Sequence, residues 1–168
     1  MTAGTRNLPA SGVVRAREAS AADRPVWDRF VEEASAGDPL QAWGWGNVAA
    51  GWGEAPRRFL AQDEDGAIRG VAQVLVRAAP FGRSVLYVPH GPLWLRRQPA
   101  GADALRELLA AVRAAGQAAR GIVVKLDPRA EADVDPAGLA NDLAGLGCRP
   151  ARHDLQARAT RVLDLSLG

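Results

Sequence analysis

The spacing of apolar positions changes several times along the chain, and each change marks an element. Val13 to Arg17 alternates weakly as a first strand. Ser20 or Asp23 then caps a helical run with Val26, Trp27, Phe30, Val31 and Ala34 on its inner face, and Gly37, Asp38 and Pro39 end it. LQAWGWGNVAAGWG, residues 40 to 53, reads as a second, shorter helix with glycine at both ends. The period then shortens to two: RRFLAQ, DEDG and AIRGVAQVLVRAA are strand, Asp65-Gly66 turn and strand, and SVLYVPHGPLWL continues as a third strand stopped by Pro89 and Pro92. From Ala102 to Arg120 helical spacing returns, with Leu105, Leu108, Leu109 and Val112 inward and Gly121 closing the run. GIVVKLDP is a short buried strand. Asp135 caps a further helix with Pro136 in its first turn and Leu139, Leu143 and Leu146 inward, and TRVLDLSL is a terminal strand.

The tryptophans of the second helix divide by angle. Trp45 and Trp52 lie seven apart and share a face with Val48 and Ala49, which predicts that they anchor the core. Trp43 projects about 200° away from Trp45, which predicts a place in a cleft or at a domain interface.

Composition narrows the class. The chain has 168 residues, 48% hydrophobic and 24% charged, enough for one ordinary core. We expect a disordered lead-in over residues 1–12 and a single domain over 13–168. No apolar run approaches the ~20 residues that span a bilayer, and the N-terminus has no secretory h-region, so a cytoplasmic location is expected. Cys148 is the one cysteine and has no His or Cys at ligand spacing, so disulfide and zinc readings fall away and a structural thiol is expected. The net charge is +2 with a pI of about 9.3, and nearly all the cations are arginine, Lys125 being the sole lysine. Abundant Arg and Ala is what a GC-rich genome produces, and no strongly basic nucleic-acid surface is indicated.

The element order β-α-α-β-β-β-α-β-α-β predicts a mixed, largely antiparallel sheet with helices on both faces, an α/β (α+β) class, and is similar to the core of the GNAT acyltransferase fold. Members that use acetyl-CoA cradle its pyrophosphate on the N–H groups of a Gly-rich loop between the meander and the next helix. The corresponding segment, VPHGPLWLRRQPAGADAL, lacks that glycine spacing and is interrupted by prolines, which have no N–H. Acetyl-CoA is therefore disfavoured as a ligand.

Four segments in order, LQAWGWG, YVPHGPLW, VVKLDP and LQARATRVLDLS, resemble the FemABX family of peptidoglycan-bridge aminoacyltransferases. The family pattern is Q-S-x-x-W, Y-x-P-R-G-P, a K-x-D-P strand and Q-x-R-x-T-x-x-L-D-L, and the likeness extends from about Leu40 to Ser166. Members have two GNAT-like domains, and these motifs belong to the first. The resemblance implies a first, acceptor-binding domain with the second absent, so that the isolated chain could be inactive, and an exposed edge favouring dimerisation or a partner domain. It implies transfer of an amino acid from aminoacyl-tRNA, the co-substrate, to an amino group of a peptidoglycan precursor's stem peptide, with no cofactor and no metal. A lipid-linked acceptor would place the protein at the inner face of the membrane. The alternatives are an acyl-CoA N-acyltransferase and a non-catalytic binding module.

An activated ester needs alignment and oxyanion donors rather than a covalent nucleophile, in keeping with the absence of a legible triad, and the catalytic residues are not assigned. An acceptor with a diphosphate, a sugar and a peptide calls for cations and aromatic walls. The resemblance implies Trp43, Trp45, Tyr87, His90 and Arg158 as substrate-binding candidates, with Arg77 or Arg83 as further cations. Each has a structural alternative: Gln41 and Trp45 as helix start and core, Tyr87 as core with a satisfied hydroxyl, His90 as a turn residue between prolines. His90 stands where the family pattern has Arg, and Ala49 about where it commonly has a phosphate-reaching Lys. Asp127 is expected to accept backbone N–H groups in the turn before Pro128, Lys125 to face solvent, and Thr160 to be structural.

Overall fold

The computed structural model describes residues 13–35, 37–129, 136–153 and 155–156. The chain divides into two compact units, Met1–Pro128 and Arg129–Gly168. In the first unit β1 (Arg15–Glu18), β2 (Ala55–Gln62), β3 (Ile68–Ala79), β4 (Arg83–Val88) and β6 (Gly121–Leu126) form a sheet in the order β1-β2-β3-β4-β6, and the short β5 (Leu93–Trp94) also pairs with β3. All pairings are antiparallel except β4 with β6, which is parallel. Among the described residues three α-helices complete the unit: α1 (Arg24–Ser35), α2 (Trp43–Gly51) and α3 (Gly101–Ala118).

Alternation along the strands sorts their side chains onto two faces. Phe59, Ala61, Ala72, Val74, Leu86 and Val88 face α3, which buries Ala104, Leu108, Val112 and Ala115 against them. Leu60, Val71 and Leu93 lie on the opposite face with Trp27, Phe30 and Val31 of α1 and Trp43 of α2. The expected inner face of α3 is observed: Leu105, Leu108, Leu109 and Val112 are all buried. In α1, Val26 is 45% exposed rather than inward, because Trp27, Phe30 and Val31 occupy the contact with the sheet.

Two other expectations are corrected. The segment after Arg83 is not one strand: β4 stops at Val88, and the chain returns to β3 as β5. β6 is not fully buried, because among the described residues it pairs on one side alone and leaves Ile122 and Val123 61% and 44% exposed. In the second unit α4 (Pro136–Gly145) begins at the expected proline. It closes with Gly147 at φ 79° and the Cys148 N–H on the Leu143 carbonyl at 3.0 Å. Asp135 and the TRVLDLSL segment lie outside the described residues.

The edge beside β1 carries a charge cluster with a consequence for acid stability. Two Arg17 nitrogens meet the Asp23 carboxylate at 2.9 and 2.5 Å, and Ser20 caps the same carboxylate from its backbone N–H at 2.7 Å. The Arg17 hydrogen bond, against a smaller opposing effect of burial, holds Asp23 far below the usual carboxylate range. Glu18 is lowered in the same way by its hydrogen bonds from Arg57 at 2.8 and 2.6 Å. A depressed folded-state value gives stability that is fully present above the unfolded-state value and is lost as pH falls toward the folded one. Urea midpoints should therefore be flat from pH 7 to about 5 and decline below about 4, and Arg17→Ala should make that decline shallower. An identical acid limb in the variant would contradict this origin.

Candidate functional site

Between the β4 and β5 pairings, strand β3 lacks a strand neighbour on the side away from β2. Leu75 pairs with Tyr87 and Val71 with Leu93, leaving residues 72–74 facing the turn that carries Pro89, His90 and Gly91. The side-chain amide of Gln41 fills the gap as a peptide group would. Its Oε1 accepts the Gln73 backbone N–H at 2.9 Å and its Nε2 donates to the Pro89 carbonyl at 2.5 Å. Gln41 is fully buried, and a Cβ at residue 91 would lie 2.5 Å from its Nε2, so the approach requires glycine at that position. The Gln41 and PHGP segments, 48 residues apart, are thus locked together.

The chain leading into α2 is held by side chains from other elements. The Gln73 side-chain amide donates to the Leu40 and Ala42 carbonyls at 2.9 and 3.1 Å, Trp27 Nε1 to the Gln41 carbonyl at 2.8 Å, and Arg58 to the Trp43 carbonyl at 2.7 Å. Ala42 provides no side-chain cap, and Asp28 of α1 instead accepts the Trp43 N–H at 2.8 Å. Arg58 also bonds Gln73 Oε1 at 3.1 Å and lies 4.1 Å over the Trp43 ring. Burial pushes the Arg58 guanidinium below its ordinary value, with the Asp28 charge acting in the opposite sense. Gly46 leaves room for this arginine, since a Cβ there would meet its Nη2 at 2.4 Å.

On this foundation the carboxyl ends of the parallel pair β4 and β6 carry the candidate site. His90 Nδ1 is 2.9 Å from Asp38 Oδ2, and Asp38 Oδ1 accepts the Leu40 N–H at 2.9 Å. The Asp38 side chain is fully buried, whereas the imidazole keeps 21% of its surface exposed. His90 adopts φ 48°, in the left-handed region that histidine, like asparagine and aspartate, enters more often than other non-glycine residues. Tyr87 donates its hydroxyl to Asp127 Oδ2 at 3.1 Å, and the Asp127 N–H lies 3.2 and 3.3 Å from the Val88 and Gly91 carbonyls. Lys125 is the parallel neighbour of Tyr87, and Arg77, ion-paired with Glu54, lies 5.5 Å over the Tyr87 ring.

The structure thus brings His90 and Tyr87 to one end of the sheet. Trp43, expected toward a cleft, is 7% exposed and stacks edge-on against Trp27 at 5.7 Å. Trp45 and Trp52, expected inward, pair edge-on at 5.8 Å, with Trp45 partly buried and Trp52 69% exposed. The inner stripe of the helix is Trp43, Gly46 and Ala49. Close approach to β2 and β3 selects the small residues, and the number of large apolar groups on a face does not decide its direction. Ala49 is buried with Leu75 and Tyr87. The Asp127 carboxylate accepts the Tyr87 hydroxyl, while its backbone N–H stitches the turn. Lys125 is partly buried. Arg158 and Thr160 lie outside the described residues.

Sequence reasoning missed Asp38, read only as a helix stop, and Gln73 and Arg58. Gln73 had a signal: it is the one uncharged polar residue in the run GVAQVLV. Chemically, the turn after β4, the end of β6 and the loop before α2 together offer an imidazole, a phenol and two carboxylates, which suits positioning and proton transfer at a polar ligand. Among the described residues no cluster of His, Cys, Asp and Glu could hold a metal ion, and no helix is long and apolar enough to cross a membrane.

The mixed sheet with its helices is the GNAT-type fold, and solved structures share it. The chain is similar to FemX, with 26% identity and a TM-score of 0.67 over 79% of its own length, and it spans 31% of the FemX chain. Aminoglycoside N-acetyltransferase AAC(6')-Iy, solved in complex with CoA, aligns at a TM-score of 0.62 and 18% identity over 91% of this chain and 99% of that one. A putative acetyltransferase from Agrobacterium tumefaciens aligns at 0.58 and 19% over 86% and 99%. No family model and no curated protein matches the chain.

Proposed function

We propose that the chain is the acceptor-binding domain of a FemX-like aminoacyltransferase, which receives an amino acid from aminoacyl-tRNA on the stem peptide of a peptidoglycan precursor. One observation carries this reading. The YVPHGP segment that bears the family resemblance is the segment that Gln41 fixes at the carboxyl ends of β4 and β6, where α/β sheets present ligand-binding groups. The FemX likeness over most of the chain supports it. The chain spans 31% of the FemX chain, and the reading assigns it acceptor binding rather than tRNA recognition or donor choice. If the acceptor is lipid-linked, the protein works at the inner face of the membrane.

Backbone bonding before α3 favours this reading over acyl-CoA transfer. The N–H groups of Arg96, Gln98 and Gly101 donate at 2.9, 3.0 and 3.0 Å to the carbonyls of Trp94, Leu95 and Gln98. Asp103 adds a negative charge to the first turn, where a pyrophosphate would need the opposite sign. Parallel calorimetric titrations of the chain with UDP-linked muramoyl pentapeptide and with acetyl-CoA test the choice. Heat with the precursor alone is expected, and heat with acetyl-CoA alone would replace this reading with an ordinary N-acyltransferase.

A further inference from the structure

The geometry points to His90 as the base that takes the proton from the acceptor amine, with Asp38 as its positioning residue. This inference rests on the reading above and deepens it at the same site. Asp38 Oδ1 already accepts the Leu40 N–H, so Oδ2, 2.9 Å from the imidazole, is placed to accept Nδ1–H. The proton is thereby assigned to Nδ1 and the lone pair to Nε2. Among the described residues Asp38 is the sole hydrogen-bond partner of His90, which leaves Nε2 to the exposed part of the ring.

Three features argue for a built device rather than a surface histidine. The carboxylate is fully buried, anchored through Leu40 and sited at the start of the segment whose carbonyls Gln73 and Trp27 hold. The histidine backbone keeps φ 48°, a left-handed conformation held in place by its surroundings. Those surroundings are the neighbouring Pro89 carbonyl, bound by Gln41, and the Gly91 carbonyl, bound by the Asp127 N–H. The imidazole, unlike its buried partner, keeps 21% of its surface exposed.

In the step proposed, the acceptor's side-chain nitrogen attacks, as the free amine, the carbonyl carbon of an aminoacyl ester. The C–N bond forms, the proton leaves nitrogen for His90 Nε2, the ester C–O bond breaks, and the departing ribose oxygen receives that proton. The products are an amide and a free hydroxyl, and His90 returns to its starting form.

The test is long-range 1H–15N NMR of the imidazoles in the full 15N-labelled chain, with the His90 signals assigned by His90→Gln. Two titrants are compared: UDP-linked muramoyl pentapeptide with its side-chain amine, and the analogue with norleucine in place of the diamino acid. In the free protein His90 is expected to carry its proton on Nδ1, and Asp38→Asn is expected to lose that preference while the fold is retained. Both titrants should bind, and only the amine should shift the His90 Nε2 resonance. Equal shifts with both, no shift with either, or a proton on Nε2 in the free protein would overturn the inference and leave acceptor binding standing. Failure of both compounds to bind would overturn the functional reading and the inference with it.

Discussion

Gln41→Ala is expected to lose about 3–5 kcal/mol of folding stability, although the side chain touches no expected ligand. The truncation leaves two buried backbone groups unpaired, the Gln73 N–H and the Pro89 carbonyl, and each unsatisfied group costs about 1–3 kcal/mol. The volume left by the side chain adds to this, because the site is closed on the Gly91 side. Gln41→Glu should fare little better, since an ionised carboxylate accepts at both oxygens and would face the Pro89 carbonyl. Urea unfolding of the three proteins at neutral pH measures the difference. A loss below about 1 kcal/mol would mean that the gap in the β3 ladder is bridged by something other than this amide.

Trp43→Ala carries the second large effect, about 3–5 kcal/mol. The ring is 7% exposed, meets Trp27 edge-on at 5.7 Å and lies beneath Arg58 at 4.1 Å. Its removal opens a cavity between α1, α2 and the sheet and strips the half-buried guanidinium of its aromatic partner. Trp52→Ala should change stability by no more than about 0.5 kcal/mol, because most of that ring is already in water. This is the reverse of what the helical wheel predicts. Thermal denaturation of the two variants side by side decides it, and equal losses would return Trp52 to the core.

The contrast shows where the sequence stops being informative. The β2–β3 hairpin and the inner stripe of α3 follow from the spacing of apolar residues, because long apolar residues at regular spacing have one way to be buried. Helix α2 escapes that logic. Its inner positions are Trp43, Gly46 and Ala49, and its closeness to the sheet is set by Arg58 and Gln73, far away in sequence. The return of the chain as β5 is equally non-local: Pro89 and Pro92 mark an end of pairing, but the reason the ladder survives is a glutamine 48 residues earlier.

The candidate site divides in the same way. Tyr87 and His90 stand in a motif and could be named from it. Their partners Asp127 and Asp38 are 40 and 52 residues away, and no local pattern marks Asp38 as more than a helix terminator. Polar pairs of this kind are chosen by the fold, which brings the turn after β4 beside the loop before α2.

The central claim is that the precursor binds at the carboxyl ends of β4 and β6. Hydrogen–deuterium exchange of the chain, with and without UDP-linked muramoyl pentapeptide, addresses it most directly. The account predicts slower exchange in peptides covering residues 85–94 and 121–129, with little change in the turn before α3. Protection confined to residues 95–104, or to the end of α2 around Trp52, would contradict it and move the site elsewhere on the fold.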